Sequence, residues 1–189
     1  MDCKPDALIA PKGRAAHSIA TLCVMAESKS DRSASGGLPE SDTLDEGALR
    51  TMFTTELGGE DFYNALADRI GNEEAAKLLR NNGKEEAGHA RRLLRALSLK
   101  VGHDVDPTPE MLTPSAMQLP DSISPRLLST IKDAELEGDL SYQRWAENES
   151  DPQVARLLRL NGREESIHAG RVEQVMALLT SPQATFDPA

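Results

Sequence analysis

Two nonapeptides carry the chain's candidate chemistry: "NGKEEAGHA" at Asn82–Ala90 and "NGREESIHA" at Asn161–Ala169, 79 positions apart. They share Asn-Gly, a basic residue, Glu-Glu and His-Ala, and each contains Glu-x2-His. On a helix, residues three apart lie about 60° from one another, so Glu86 with His89, and Glu165 with His168, can grip one cation together. The same offset carries Glu56 onto Glu135 and Tyr63 onto Tyr142. It also carries Leu78-Leu79-Arg80 onto Leu157-Leu158-Arg159. Each half therefore reads Glu-x6-Tyr and then Glu-x2-His, with 30 residues from the first glutamate to the second. A repeat that keeps its charges and varies its small residues assigns the function to the charged groups. Four carboxylates gathered in a buried place would repel one another, and cations among them remove the conflict. Glu56, Glu86, His89, Glu135, Glu165 and His168 suit two divalent ions, and mixed oxygen and nitrogen donors favour iron or manganese over magnesium or calcium.

The elements that must bring these residues together are helices. Apolar residues recur at helical spacing over Leu44–Ile70, Glu73 to about Leu99, Arg126–Asn148 and Gln153–Leu179, and no stretch reads as a strand. The midpoint between Glu56 and Glu86 is Gly71, followed by Asn72 and two glutamates, which suit a helix stop and a new helix start. The midpoint between Glu135 and Glu165 is Ser150, followed by Asp151 and Pro152, again a stop, an N-cap and a first-turn proline. Two antiparallel hairpins follow, each placing its glutamates about 15 residues from its turn and facing one another. Between them lies a proline-rich stretch from Val101 to Ile123, which cannot be a regular element. The expected organisation is an arm and linker over 1–43 with one short helix near Ala15–Ala26, an all-α four-helix bundle over 44–180, and a tail over 181–189.

A Glu from each of two helices plus Glu-x-x-His from each of the other two resembles the di-metal site of the ferritin-like superfamily. The Glu-x6-Tyr elements make the chain most similar to the rubrerythrin-like di-iron proteins. That resemblance covers residues 44–180 and implies a ferritin-like bundle with a long crossover between the second and third helices. About 23 residues reach up to roughly 75 Å, enough to run the length of such a helix. It further implies that His89 and His168 anchor one iron each, that Glu86 and Glu165 bridge, and that Glu56 and Glu135 are terminal. The implied activity is reduction of hydrogen peroxide or dioxygen with electrons from an external donor, in a homodimer. The alternative is a ferroxidase of iron storage or detoxification. The chain departs from the family at Gly138, where a further ligand glutamate is usual, so Glu60 or Asp139 is the candidate extra ligand. It also lacks a rubredoxin-like domain.

The remaining sequence mostly excludes. A net charge of −10 and 3 % aromatic residues speak against nucleic acid and anionic membrane surfaces as partners. The two cysteines, Cys3 and Cys23, form no Cys-x-x-Cys, so the chemistry belongs to carboxylates and imidazoles. The apolar run Ala15–Ala26 is too short to span a bilayer and is interrupted by His17, Ser18 and Thr21, and the reading is a cytoplasmic protein. Tyr63 and Tyr142 are expected to hydrogen-bond the ligand carboxylates. Glu85 and Glu164 are expected to face solvent, and Trp145 to serve packing. His17, His103 and the cysteines have no ligand spacing. Gly83 and Gly162, inside helices at about 1 kcal/mol each relative to alanine, point to a close helix approach or a local bulge.

Overall fold

A computed structural model describes residues 41–115 and 118–180; the expected short helix near Ala15–Ala26, most of the arm and the tail lie outside them. Four helices make up the bundle: α1 (Glu46–Arg69), α2 (Glu73–Val101), α3 (Pro125–Glu147) and α4 (Pro152–Thr180). No strand occurs among the described residues. This is an all-α four-helix bundle of the ferritin-like kind.

The helix ends are set by local chemistry. Asp45, Asn72 and Ser124 each accept a hydrogen bond from a backbone N–H of the first turn, at 2.8, 3.0 and 3.1 Å. Asp151 caps α4 in the same way, accepting from Gln153 N at 2.7 Å, and Pro152 opens the helix. Gly71 (φ +68°) and Gly102 (φ +78°) adopt the left-handed conformation that ends α1 and α2. The two hairpin turns, at Gly71 and at Ser150, fall at the midpoints expected from the glutamate spacing.

α1 packs on α2, α3 on α4, and α2 on α4. Tyr63 reaches Glu135 while Tyr142 reaches Glu56, so α1 and α3 run antiparallel. α2 and α3 are then parallel, and the connection between them must travel the length of the bundle. It does so along α1. Thr54 Oγ1 donates to Met111 O at 3.2 Å, and a Cβ on Gly58 would lie 3.1 Å from the Cβ of Pro114. Further along, Leu119 and Ile123 pack against the end of the core.

The core is divided. One apolar cluster holds Leu49, Phe53, Leu93, Leu97, Trp145 and Leu158 among others. The other holds Phe62, Leu66, Leu79, Leu128, Ile131 and Val172. In every helix the candidate ligands fall between the residues of the two clusters, so the polar layer is closed by hydrocarbon on both sides.

Gly83 and Gly162 mark where helices of one hairpin meet. A Cβ on Gly83 would stand 3.2 Å from both Glu60 O and Tyr63 Cβ, and one on Gly162 would stand 2.8 Å from Asp139 Oδ1. The close approach is realised, and α2 and α4 run through both glycines as unbroken α-helix. Gly170, also inside α4, has nothing within 4 Å of an added Cβ. Gly170→Ala should therefore stabilise the chain by about 0.5–1 kcal/mol through helix propensity alone. Gly83→Ala should destabilise it, because backbone of α1 stands in the way. Urea unfolding of the two variants checks this, and equal gains from both would refute the close-packing account.

Candidate metal centre

Glu56 on α1, Glu86 and His89 on α2, Glu135 on α3, and Glu165 and His168 on α4 are all buried. Their donor atoms form two overlapping groups, Glu56–Glu86–His89–Glu165 and Glu86–Glu135–Glu165–His168. Within each group one atom per residue lies within 4.8 Å of the others. The two imidazoles stack, 5.2 Å between centroids and 15° between planes.

The carboxylates sort themselves by which histidine they face. Glu86 places Oε2 at 3.3 Å from His89 Nδ1 and Oε1 at 3.2 Å from His168 Nδ1. Glu165 places Oε1 at 3.2 Å from His89 Nδ1 and Oε2 at 3.4 Å from His168 Nδ1. Both are shared. Glu56 faces only His89 Nδ1, at 3.4 Å, and Glu135 only His168 Nδ1, at 3.6 Å. Two carboxylates thus face both histidines, and two face one each.

These atoms have somewhere else to bond. Glu86 Oε1, His89 Nδ1, Glu135 Oε2 and His168 Nδ1 are buried and without a hydrogen-bond partner. Orphaned buried donors and acceptors are costly, and four of them converging on one level are what a metal ion would satisfy. Carboxylate oxygens and imidazole nitrogens in this proportion are the donor set of a first-row transition metal such as iron.

The surroundings fix the ligands in place. Tyr63 Oη donates to Glu135, and Tyr142 Oη donates to Glu56 Oε1 at 2.5 Å, as expected of both tyrosines. Glu85 and Glu164, expected to face solvent, do not. Glu164 Oε2 lies 3.1 Å from His89 Nε2, and Glu85 Oε2 lies 3.1 Å from His168 Nε2. Arg92 reaches Glu164, and Arg171 grips Glu85 with two bonds of 2.8 Å. Asn161 accepts from Arg92 at 2.5 Å, and Asn82 accepts from Arg171 at 3.0 Å. Each histidine is therefore oriented by a carboxylate of the other half, which is how ligating imidazoles are commonly held. The reason for the miss is that a residue next to a ligand points about 100° away. In this bundle that direction meets the neighbouring helix. The signal was in the repeat, since Asn82, Glu85 and Arg92 match Asn161, Glu164 and Arg171 at the same offset.

Glu60 and Asp139 lie outside both groups. Asp139 instead accepts from Gln143 Nε2 at 2.8 Å and Ser166 Oγ at 2.5 Å. At Gly138 an added Cβ would only touch Glu165 Cγ, at 3.4 Å. His103 is exposed, with Nδ1 3.0 Å from Asp104 O, and takes no part.

Without metal the layer balances its charge with protons. Burial, with repulsion from Glu86 and Glu165, pushes Glu56 up to about 8. Burial likewise raises Glu135, with Glu165 adding repulsion. In Glu86 burial is outweighed by the bonds from His168 and His89, which bring it down to about 2. Glu165 is lowered in the same way: burial works against it, and His89 and His168 prevail. The histidines shift upward against burial: His89 mainly through Glu165, and His168 to about 12 through Glu135, Glu165 and Glu86. Glu56, Glu135 and both imidazoles are thus pushed towards their protonated forms, and Glu86 and Glu165 towards their ionised ones.

This sets a pH dependence. A raised carboxyl stabilises the fold fully below its unfolded value of about 4.3 and loses that contribution as pH rises towards its folded value, here about 8 for Glu56. The raised histidines act in the same sense above about 6.5. The lowered Glu86 and Glu165 lose their contribution only on acidification, below that window. The melting temperature of the metal-free chain should therefore fall between pH 5 and 8, while that of the metal-loaded chain should not. Calorimetry of both forms checks it, and parallel curves would show that the carboxylates do not share a buried layer.

A model of the rubrerythrin family matches residues 48–169, well over half of the chain, a span that includes Glu56, Glu86, His89, Glu135, Glu165 and His168. No curated protein and no solved structure gives a significant match. The family and the buried carboxylate–imidazole layer together fit a di-iron protein. Among the described residues no helix is long and apolar enough to cross a membrane. The chain belongs to the rubrerythrin family.

Proposed function

We propose that this chain is a di-iron oxidoreductase that reduces hydrogen peroxide or dioxygen, drawing electrons from an external donor. The observation that carries it is the pair of overlapping donor groups that share Glu86 and Glu165. In this reading Glu56 and His89 hold one ion, Glu135 and His168 hold the other, and Glu86 and Glu165 serve both. Bound ferrous ions would supply the electrons for cleaving an O–O bond.

The chain's own residues do the rest. Glu164 and Glu85 hold the imidazoles by Nε2, so that Nδ1 is presented to the centre. Tyr142 and Tyr63 anchor the two terminal carboxylates from across the bundle. Their hydroxyls are kept protonated because burial, and then the facing glutamate, raises both. The apolar layers above and below limit water and strengthen every charge interaction between them. Gly59 and Gly138 sit beside the shared carboxylates. A Cβ on Gly59 would come within 2.8 Å of Glu86 Cγ, so glycine there is required for Glu86 to lie where it does.

Metal analysis after anaerobic iron loading should give about two ions per chain. Binding them displaces the protons otherwise carried by Glu56, Glu135, His89 and His168, so loading at pH 7 should release about four protons. Titration calorimetry in buffers of different ionisation enthalpy counts them. Peroxide should then oxidise the ferrous form with stoichiometry set by two irons. Rapid oxidation of added ferrous iron by a chain that assembles into a large shell, with no peroxide consumption, would favour storage or detoxification instead.

The orienting carboxylates give a separate test. Glu85→Ala and Glu164→Ala should each weaken metal binding by about 10- to 100-fold, and by similar amounts, because each frees one imidazole. A competition titration with a chelator reads this directly. Unchanged affinity in both variants would remove Glu85 and Glu164 from the site.

A further inference from the structure

Trp145 is the chain's single tryptophan and sits one turn beyond Tyr142 on α3. The indole and phenol rings meet edge-on, with centroids 5.3 Å apart. Tyr142 in turn lies edge-on to His89 at 6.5 Å, and its hydroxyl donates to Glu56. On the far side, the indole Nε1–H donates to Ser41 O at 2.8 Å, and Ser41 is exposed. An oxidisable phenol and an oxidisable indole thus form a line from the carboxylate layer to the surface.

The repeat supplies an internal comparison. The residue of the first half that corresponds to Trp145 is Leu66, which is also fully buried. The ring neighbours of Tyr63 are Phe62 and His168. Neither leucine nor phenylalanine gives up an electron at potentials a protein site reaches. The halves copy one another in ligands, tyrosines and orienting carboxylates, and part company here. Filling space is served by leucine, as Leu66 shows, and does not call for an indole whose N–H points towards an exposed residue.

We infer that Tyr142 and Trp145 form a one-electron relay between the metal centre and the Ser41 surface, an inference that rests on the peroxide- or dioxygen-reducing reading above. Hydrogen peroxide needs two electrons and two protons to become two waters, so the relay runs twice for each peroxide. In one pass Tyr142 yields an electron towards the centre, and its phenolic proton moves to Glu56, which already accepts its hydrogen bond. Trp145 then gives an electron to the Tyr142 phenoxyl, and the proton returns from Glu56 to the phenolic oxygen. A one-electron reductant in solution, such as ascorbate, refills the indole near Ser41. Tyr142, Trp145 and Glu56 end unchanged, and the protons that enter water come from solvent.

Pulse radiolysis of the metal-free full chain at about pH 9, where the Glu56 carboxyl is ionised and free to accept the phenolic proton, tests the relay without peroxide. One tryptophan and two tyrosines make the signals unambiguous. After oxidation by azide radical, the indole radical should decay as a phenoxyl radical rises. That coupled rise should be lost in Tyr142→Phe and kept in Tyr63→Phe. A rise that survives Tyr142→Phe, or an indole radical that decays in the native chain with no phenoxyl rise, overturns the relay. In the iron-loaded chain, freeze-quench paramagnetic resonance after peroxide should show a radical whose spectrum narrows when the tryptophan ring is deuterated. A spectrum unaffected by that label overturns the relay's use in turnover. Failed transfer in the metal-free chain leaves the peroxide reading standing, whereas intact transfer in a chain that reduces neither peroxide nor dioxygen overturns the reading on which the relay rests.

Discussion

Four carboxylates and two imidazoles meet at one level of a bundle, between two apolar clusters, and the rest of the fold is arranged around keeping that level neutral. With protons alone, neutrality is reached by two charged imidazoles, two ionised carboxylates and two protonated ones, and the shifts imposed by the surroundings run in that sense. With two divalent cations the same neutrality is reached with all four carboxylates ionised and both imidazoles neutral. The apolar clusters on either side make both solutions strict, because unbalanced charge between them has no water to turn to. The bundle's midpoint turns serve the same end, since each sets its hairpin's two glutamates at a common height.

The two halves are interlocked through this layer. Tyr63 holds a carboxylate of the second half, and Tyr142 holds one of the first. Glu164 orients His89, Glu85 orients His168, and Asn161 and Asn82 brace the arginines across the same interface. Each four-donor group also borrows a glutamate from the opposite half. A single hairpin would carry two glutamates and a histidine with no tyrosine on its first glutamate and no carboxylate on its imidazole Nε2. The repeat therefore describes one site made by two copies, whose α2–α4 contact is where the copies read one another.

Local chemistry explains what could be read in advance. Gly71-Asn72 and Ser150-Asp151-Pro152 announce their turns by residue type, and the equal glutamate spacing confirms them from a second direction. The six ligand positions were legible because a 79-residue offset preserved them together with their tyrosines. Glu85 and Glu164 were not, although they repeat equally well. Whether a residue beside a ligand meets water or another helix depends on how α2 and α4 lean together, and no local pattern encodes that. Glu60 and Asp139, the candidate extra ligands, lie outside both donor groups. A position 40° off the ligand line is enough for Asp139 to be taken by Gln143 and Ser166 instead.

Where the copies differ, the difference has a physical cause. The crossover lies along α1 and presses Pro114 onto Gly58, while on the corresponding stretch of α3 Leu136, the counterpart of half-buried Leu57, is 43 % exposed. A methyl group on Gly59 would stand only 2.8 Å from Glu86 Cγ and displace it, whereas one on Gly138 would meet Glu165 Cγ at 3.4 Å. The first half is thus the tighter of the two, with its shared carboxylate pinned to the backbone of α1. The second half has the looser carboxylate and the indole that leads towards the surface. Room for a ligand to shift, and the line to an outside donor, fall on the same side of the centre. A chain built from two equal hairpins has in this way acquired a fixed half and an adaptable one without changing a single ligand.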